Sequence, residues 1–137
     1  MKRKGRSIKV LLVDDNEAYR SGLSEFLEHQ KGIEVVGEAG GGQQAIYLAR
    51  TLAPDLVLMD ISMPGTNGLV AAREIKAFSP HTKIVFVTVH KEETYQALGE
   101  LLGADGYVSK NLVKEGLTKV LKNIEKSEAE KSATMAW

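Results

Sequence analysis

Cysteine is absent from all 137 residues, which excludes a disulfide framework and any thiolate metal site. A charge excess of either sign is also missing. With 18 Lys and Arg against 18 Asp and Glu, the molecule has no overall field to draw nucleic acid or anionic lipid, so any charge that matters is local. No apolar run reaches membrane length and no secretory leader is recognisable, so a soluble, cytoplasmic chain with no membrane partner is expected. The histidines are too scattered for a metal site, and neither internal repeats nor extended low-complexity tracts occur. What remains fits one domain, long enough to bury roughly two thirds of its unfolded surface.

Short apolar or β-branched runs occur at 8–13 (IKVLLV), 33–39 (IEVVGEA), 56–59 (LVLM), 83–89 (KIVFVTV) and 106–109 (GYVS), and these read as strands. Stretches of helical spacing separate them: Tyr19, Leu23, Phe26, Leu27; Ala45, Leu48, Ala49, Leu52; Leu69, Ala72, Ile75; Tyr95, Leu98, Leu101, Leu102. A last set follows at Leu117, Val120, Leu121 and Ile124. Five alternating βα units predict a doubly wound α/β fold, a five-stranded parallel sheet in the flavodoxin-like order 2-1-3-4-5 with helices on both faces. The first, third and fourth strands are nearly all apolar, as strands covered on both sides should be, and the more polar second suits an edge. Residues 1–7 read as a basic, flexible leader, 8–126 as the folded domain and 127–137 as a flexible tail. Gly40, Gly41 and Gly42 lack the Lys and Ser/Thr of a phosphate loop and read as a turn.

In such a sheet the ligand crevice lies beyond the carboxyl ends of the strands, where the strand order reverses. Asp14 and Asp15 follow the first strand and Asp60 the third; Thr88 ends the fourth and Lys110 follows the fifth. Three carboxylates in one crevice repel each other unless one is protonated or a cation joins them. An all-oxygen set favours a hard ion such as Mg²⁺. With Asp60 as nucleophile, the metal and Lys110 placed against phosphoryl oxygens and Thr88 donating a hydrogen bond, the set is built for phosphoryl transfer onto Asp60. Blander roles exist for each residue alone. Asp14, Asp15 or Asn16 could cap the first helix, Asp60 could open a turn with Pro64 and Gly65, Lys110 could be a surface lysine, and Tyr107 could fill the core. Their joint placement at four strand ends is what chance does not explain.

The strings VLLVDDNEAYRSGL, EVVGEAGGGQQAIYLA, PDLVLMDISMPGTNGL and GADGYVSK resemble the receiver domain of two-component response regulators. The resemblance covers roughly residues 8 to 125, and the chain is similar to the receivers of transcription factors with a LuxR-type DNA-binding domain. It implies Asp60 as the phosphoacceptor, Asp15 and Asp60 as direct metal ligands, Asp14 assisting through water, and Ser62 lending its backbone carbonyl. It also implies Thr88 and Lys110 as phosphoryl contacts, with Tyr107 turning inward as Thr88 moves. The implied partners are a histidine kinase and a downstream protein or an effector domain outside this chain, and a phosphorylation-dependent homodimer is compatible with them. On this reading the chain is a signalling module rather than a metabolic enzyme.

Departures from the family pattern are informative. Asn111 stands after Lys110 where proline is usual, which bears on the geometry of that peptide. Ser62 and His90 occupy the rim positions that influence water access in relatives. No helix-turn-helix pattern follows residue 126, so direct DNA binding by this chain is not expected. Two alternatives stand beside this reading. A flavodoxin-like cofactor binder would have to seat its phosphate against Asp14, Asp15 and Glu17, and a haloacid-dehalogenase-like phosphotransferase normally has a second Asp where Ser62 stands.

Overall fold

The computed structural model describes residues 7–89, 97 and 100–135. Five parallel strands, β1 (Ile8–Val13), β2 (Ile33–Ala39), β3 (Leu56–Met59), β4 (Lys83–Thr88) and β5 (Gly106–Ser109), form one sheet in the order β2-β1-β3-β4-β5. Complete helices among the described residues are α1 (Glu17–Glu28), α2 (Gly42–Leu52), α3 (Gly68–Phe78) and α4 (Val113–Met135), and a 3₁₀ turn at Lys110–Leu112 leads into the last. The strand order is the expected one, with β2 at an edge. Half of the helical stretch expected from Tyr95 to Leu102 falls outside the described residues, and Ala97, Glu100 and Leu101 within it are helical.

Alternation along the strands divides the core in two, because successive side chains leave a strand on opposite faces. Leu11, Val13, Val57, Met59, Ile84 and Phe86 pack with Ala45 and Ala49 of α2 and with Ala71, Ala72 and Ile75 of α3. On the other face Val10, Leu12, Leu56, Leu58, Val85 and Val87 meet Leu23 and Leu27 of α1 and Leu117 and Leu121 of α4. Every residue of β3 is buried, so the strand carrying the candidate nucleophile at its end is the most enclosed part of the sheet.

Two boundaries differ from expectation. β4 stops at Thr88, because Thr88 with Ser109 is the last pair of the β4–β5 ladder and Val89 beyond it is exposed. α4 runs on to Met135, through most of the stretch expected to be a flexible tail from 127. The run SEAEKSATM contains no Gly or Pro, and Ala, Glu, Lys and Met make up six of its nine residues, so a helix already nucleated by the core propagates along it. Among the described residues no helix is long and apolar enough to cross a membrane.

Candidate functional site

Strand register builds the rim. Val13 pairs with Met59, so Asp14 and Asp60 leave neighbouring strands side by side, and the Asp60 N–H donates to the Val13 carbonyl at 3.0 Å. Thr88, fully buried, pairs with Ser109, and Lys110 comes one residue later. Asp14 and Asp60 are buried, 5% and 7% exposed, while Asp15 is open to solvent. One carboxylate oxygen from each of the three lies within 4.8 Å of the others, a grouping able to hold a metal ion. The donors are all oxygen, which suits a hard divalent ion.

Among the described residues, the cation in this pocket is Lys110. Its Nζ lies 2.6 Å from Asp14 Oδ2 and 3.2 Å from Asp60 Oδ2, and 4.5 Å from the centroid of the Tyr19 ring, over its face. Burial alone would push the ammonium pKa down. Hydrogen bonds and charge from Asp14 and Asp60 outweigh that and hold it above the ordinary 10.5. Tyr19 is held above the ordinary 10.0 chiefly by burial, with Lys110 pulling the other way and the two carboxylates adding to the rise.

Local structure fixes each carboxylate. Asp14 accepts from the Asn16 N–H at 2.9 Å, and its backbone carbonyl accepts from the Arg20 guanidinium, which also binds Glu38 at 2.8 Å. Asn16 caps α1 by accepting from the Tyr19 N–H at 3.0 Å. After Asp60 the chain dips twice into the core, at Ile61 and Met63, then turns through Pro64 and Gly65, the latter with φ 77°. A Cβ on Gly68 would sit 2.1 Å from the Asp60 carbonyl oxygen, so only glycine lets the start of α3 lie directly against the Asp60 backbone. The lone carboxylate thus ends a buried strand whose following loop is anchored on both sides of it.

The sequence-derived site residues separate cleanly. Asp14, Asp15, Asp60 and Lys110 converge in the structure. Thr88 lies on the same rim through strand register. Ser62 is exposed, with its N–H 3.4 Å from Asp60 Oδ1. Tyr107 is half-buried, paired with Phe86 across the β4–β5 ladder and packed on the α2/α3 side of the core. The peptide after Lys110 is trans. His90 lies outside the described residues. The glycine triplet is a turn into α2, as read, and Gly42 is pressed against the Thr66 backbone, 2.5 Å from a would-be Cβ. Sequence reasoning missed Arg20 and the contact of Tyr19 with Lys110. The only available signal was their place in the first turn of the helix that follows the paired aspartates.

Fold and rim together define a doubly wound α/β protein with an acidic, lysine-bridged pocket at the carboxyl edge of its sheet. Comparison narrows this class. The family model described as the response regulator receiver domain matches residues 10–122. The response regulator UvrY of Escherichia coli K12 is 44% identical over 117 residues, covering 85% of this chain and 54% of that protein. A LuxR-family two-component response regulator from Aurantimonas sp. SI85-9A1 superposes with a TM-score of 0.82 at 31% identity, covering 86% of this chain and 84% of that one. The isolated receiver domain of RcsB from Salmonella enterica serovar Typhimurium, solved in the presence of the phosphomimetic BeF3-, gives 0.81 at 25% identity, covering 88% and 90%. The chain belongs to the response regulator receiver domain family of two-component systems. It spans about half the length of the curated relatives it matches. Membership of this family sets aside the flavodoxin-like binder and the dehalogenase-like transferase.

Proposed function

We propose that this receiver accepts a phosphoryl group on Asp60 from the phosphohistidine of a histidine kinase. The observation that carries the reading is the convergence of Asp14, Asp15 and Asp60 within 4.8 Å, with the Lys110 ammonium between two of them. A carboxylate oxygen of Asp60 attacks phosphorus, the P–N bond breaks, and its electron pair stays on the imidazole nitrogen, leaving a mixed anhydride on Asp60. Asp14, Asp15, Asp60 and the backbone carbonyl of Ser62 would hold Mg²⁺, which supplies positive charge against the carboxylates and the phosphoryl oxygens. Lys110 exchanges its Asp60 oxygen for a phosphoryl oxygen. Thr88 donates its hydroxyl to another.

Movement of Thr88 toward the rim vacates space that Tyr107, on the neighbouring strand, turns to fill, and this biases a two-state equilibrium of the surface around β5 and the start of α4. The altered surface then acts on a downstream protein, on an effector domain outside this chain, or on a second copy of the receiver. The domain contributes to its own phosphorylation and dephosphorylation without acting as a metabolic enzyme. RcsB, whose receiver was solved with a phosphomimetic, supports this chemistry by kinship. Intact-mass measurement after incubation with Mg²⁺ and acetyl phosphate should show a single added phosphoryl group that Asp60→Asn abolishes. Undiminished uptake by that variant would sink the assignment.

A further inference from the structure

We infer that Tyr19 is a positioning residue, whose ring face holds the Lys110 ammonium at the acidic pocket. The inference rests on the reading of Lys110 as a phosphoryl contact. A lysine carries its charge on a flexible four-carbon stem and readily swings into water. Here Nζ stays over the Tyr19 ring at 4.5 Å while also reaching Asp14 at 2.6 Å and Asp60 at 3.2 Å. An aromatic face attracts an ammonium through its quadrupole, more strongly where water is partly excluded.

The ring is placed for this by the chain around it. The backbone N–H of Tyr19 donates to Asn16 Oδ1 at 3.0 Å, and the ring packs on the α1/α4 side of the core. Its hydroxyl is buried and finds no hydrogen-bond partner among the described residues, so no bond from that oxygen accounts for the placement. The cap and the packing set the ring in place, and its face is where the ammonium rests. When a phosphoryl oxygen reaches Asp60, Lys110 then needs only to change one oxygen partner, and the ring supports it before and after.

Two variants separate ring from hydroxyl. Tyr19→Phe keeps the face and Tyr19→Leu removes it, with Tyr19→Met in reserve should the leucine variant fail to fold by its melting curve. The primary readout does not involve phosphorylation. It is the exchange of Lys110 ammonium protons with water in ¹⁵N-lysine spectra, the signal being assigned by its loss in Lys110→Met. Exchange should quicken about three- to tenfold in Tyr19→Leu and stay close to wild type in Tyr19→Phe. Phosphorylation by acetyl phosphate should slow by a similar factor in Tyr19→Leu, yet Tyr19→Leu should add nothing once Lys110→Met is present. Wild-type exchange in the leucine variant, an equal loss in the phenylalanine variant, or a full additional effect in the Lys110→Met background would overturn the inference. If wild type takes up no phosphoryl group, the functional reading fails while the exchange measurement still decides the role of Tyr19.

Discussion

Replacing Lys110 with methionine removes one charge and keeps a side chain of similar reach, so packing changes little. Left behind are the carboxylates of Asp14 and Asp60, 5% and 7% exposed, without the ammonium that lies within 3.2 Å of both. Stripping one partner from a dry buried pair costs about 3–5 kcal/mol. Asp15 is open to solvent, so this pocket is wetter than that limit, and a loss of about 2–3 kcal/mol is the reasonable figure. For a chain of this size that is a fall of about 6–15 °C in melting temperature, measured by circular dichroism in EDTA. Added Mg²⁺ supplies a substitute cation, and at a hundredfold excess over its dissociation constant a bound ion stabilises by about 2.7 kcal/mol. The variant, with no ammonium competing for the same oxygens, should gain more from Mg²⁺ than wild type does, and the gap should narrow. A variant melting within about 2 °C of wild type in EDTA, or a gap that Mg²⁺ leaves unchanged, would refute the reasoning.

Gly68→Ala should destabilise the fold by about 1–3 kcal/mol, because its Cβ would meet the Asp60 carbonyl at 2.1 Å and backbone must shift; chemical denaturation checks this. Lys110 and Tyr19 both hold their protons more tightly folded than unfolded, their folded values lying above 10.5 and 10.0. The stability each contributes is therefore complete below about pH 10 and is lost as pH rises through the raised values, so a stability profile should fall there, less steeply in Tyr19→Phe. Thr88→Ala should still accept phosphate on Asp60 but show much weaker phosphorylation-dependent chemical-shift changes across residues 91 to 125. Tyr107→Ala should blunt the same changes with less effect on phosphorylation. Wild-type shifts in both variants would point the output to another surface.

Much of this was legible because the physics is local. β1, β2, β3 and β5 end where apolar runs meet Asp14, Gly40, Asp60 and Lys110, and the strand order follows from parallel βα units. The aspartates could be found because, although each alone has a bland explanation, their joint placement at neighbouring strand ends does not. Asp14 serves the local turn and the pocket at once, since Oδ1 accepts the Asn16 N–H while Oδ2 meets the Lys110 ammonium. The need for glycine at position 68 was not legible, because its closeness to the Asp60 carbonyl exists only in three dimensions. Tyr19 was hidden by its own periodicity. Helical spacing assigns it to the core, where its ring does pack, and says nothing of a lysine 91 residues away. The length of α4 was missed because charged, core-free sequence reads as a tail, although its residue types favour helix.

The measurement that bears most directly on the central claim is the position of the phosphoryl group. Wild-type protein treated with acetyl phosphate and Mg²⁺, then reduced with borohydride and mapped by peptide mass spectrometry, should carry homoserine at residue 60, and the same treatment in EDTA should leave Asp60 intact. Conversion at Asp14 or Asp15 instead, or equal conversion of Asp60 without a divalent ion, would contradict the account.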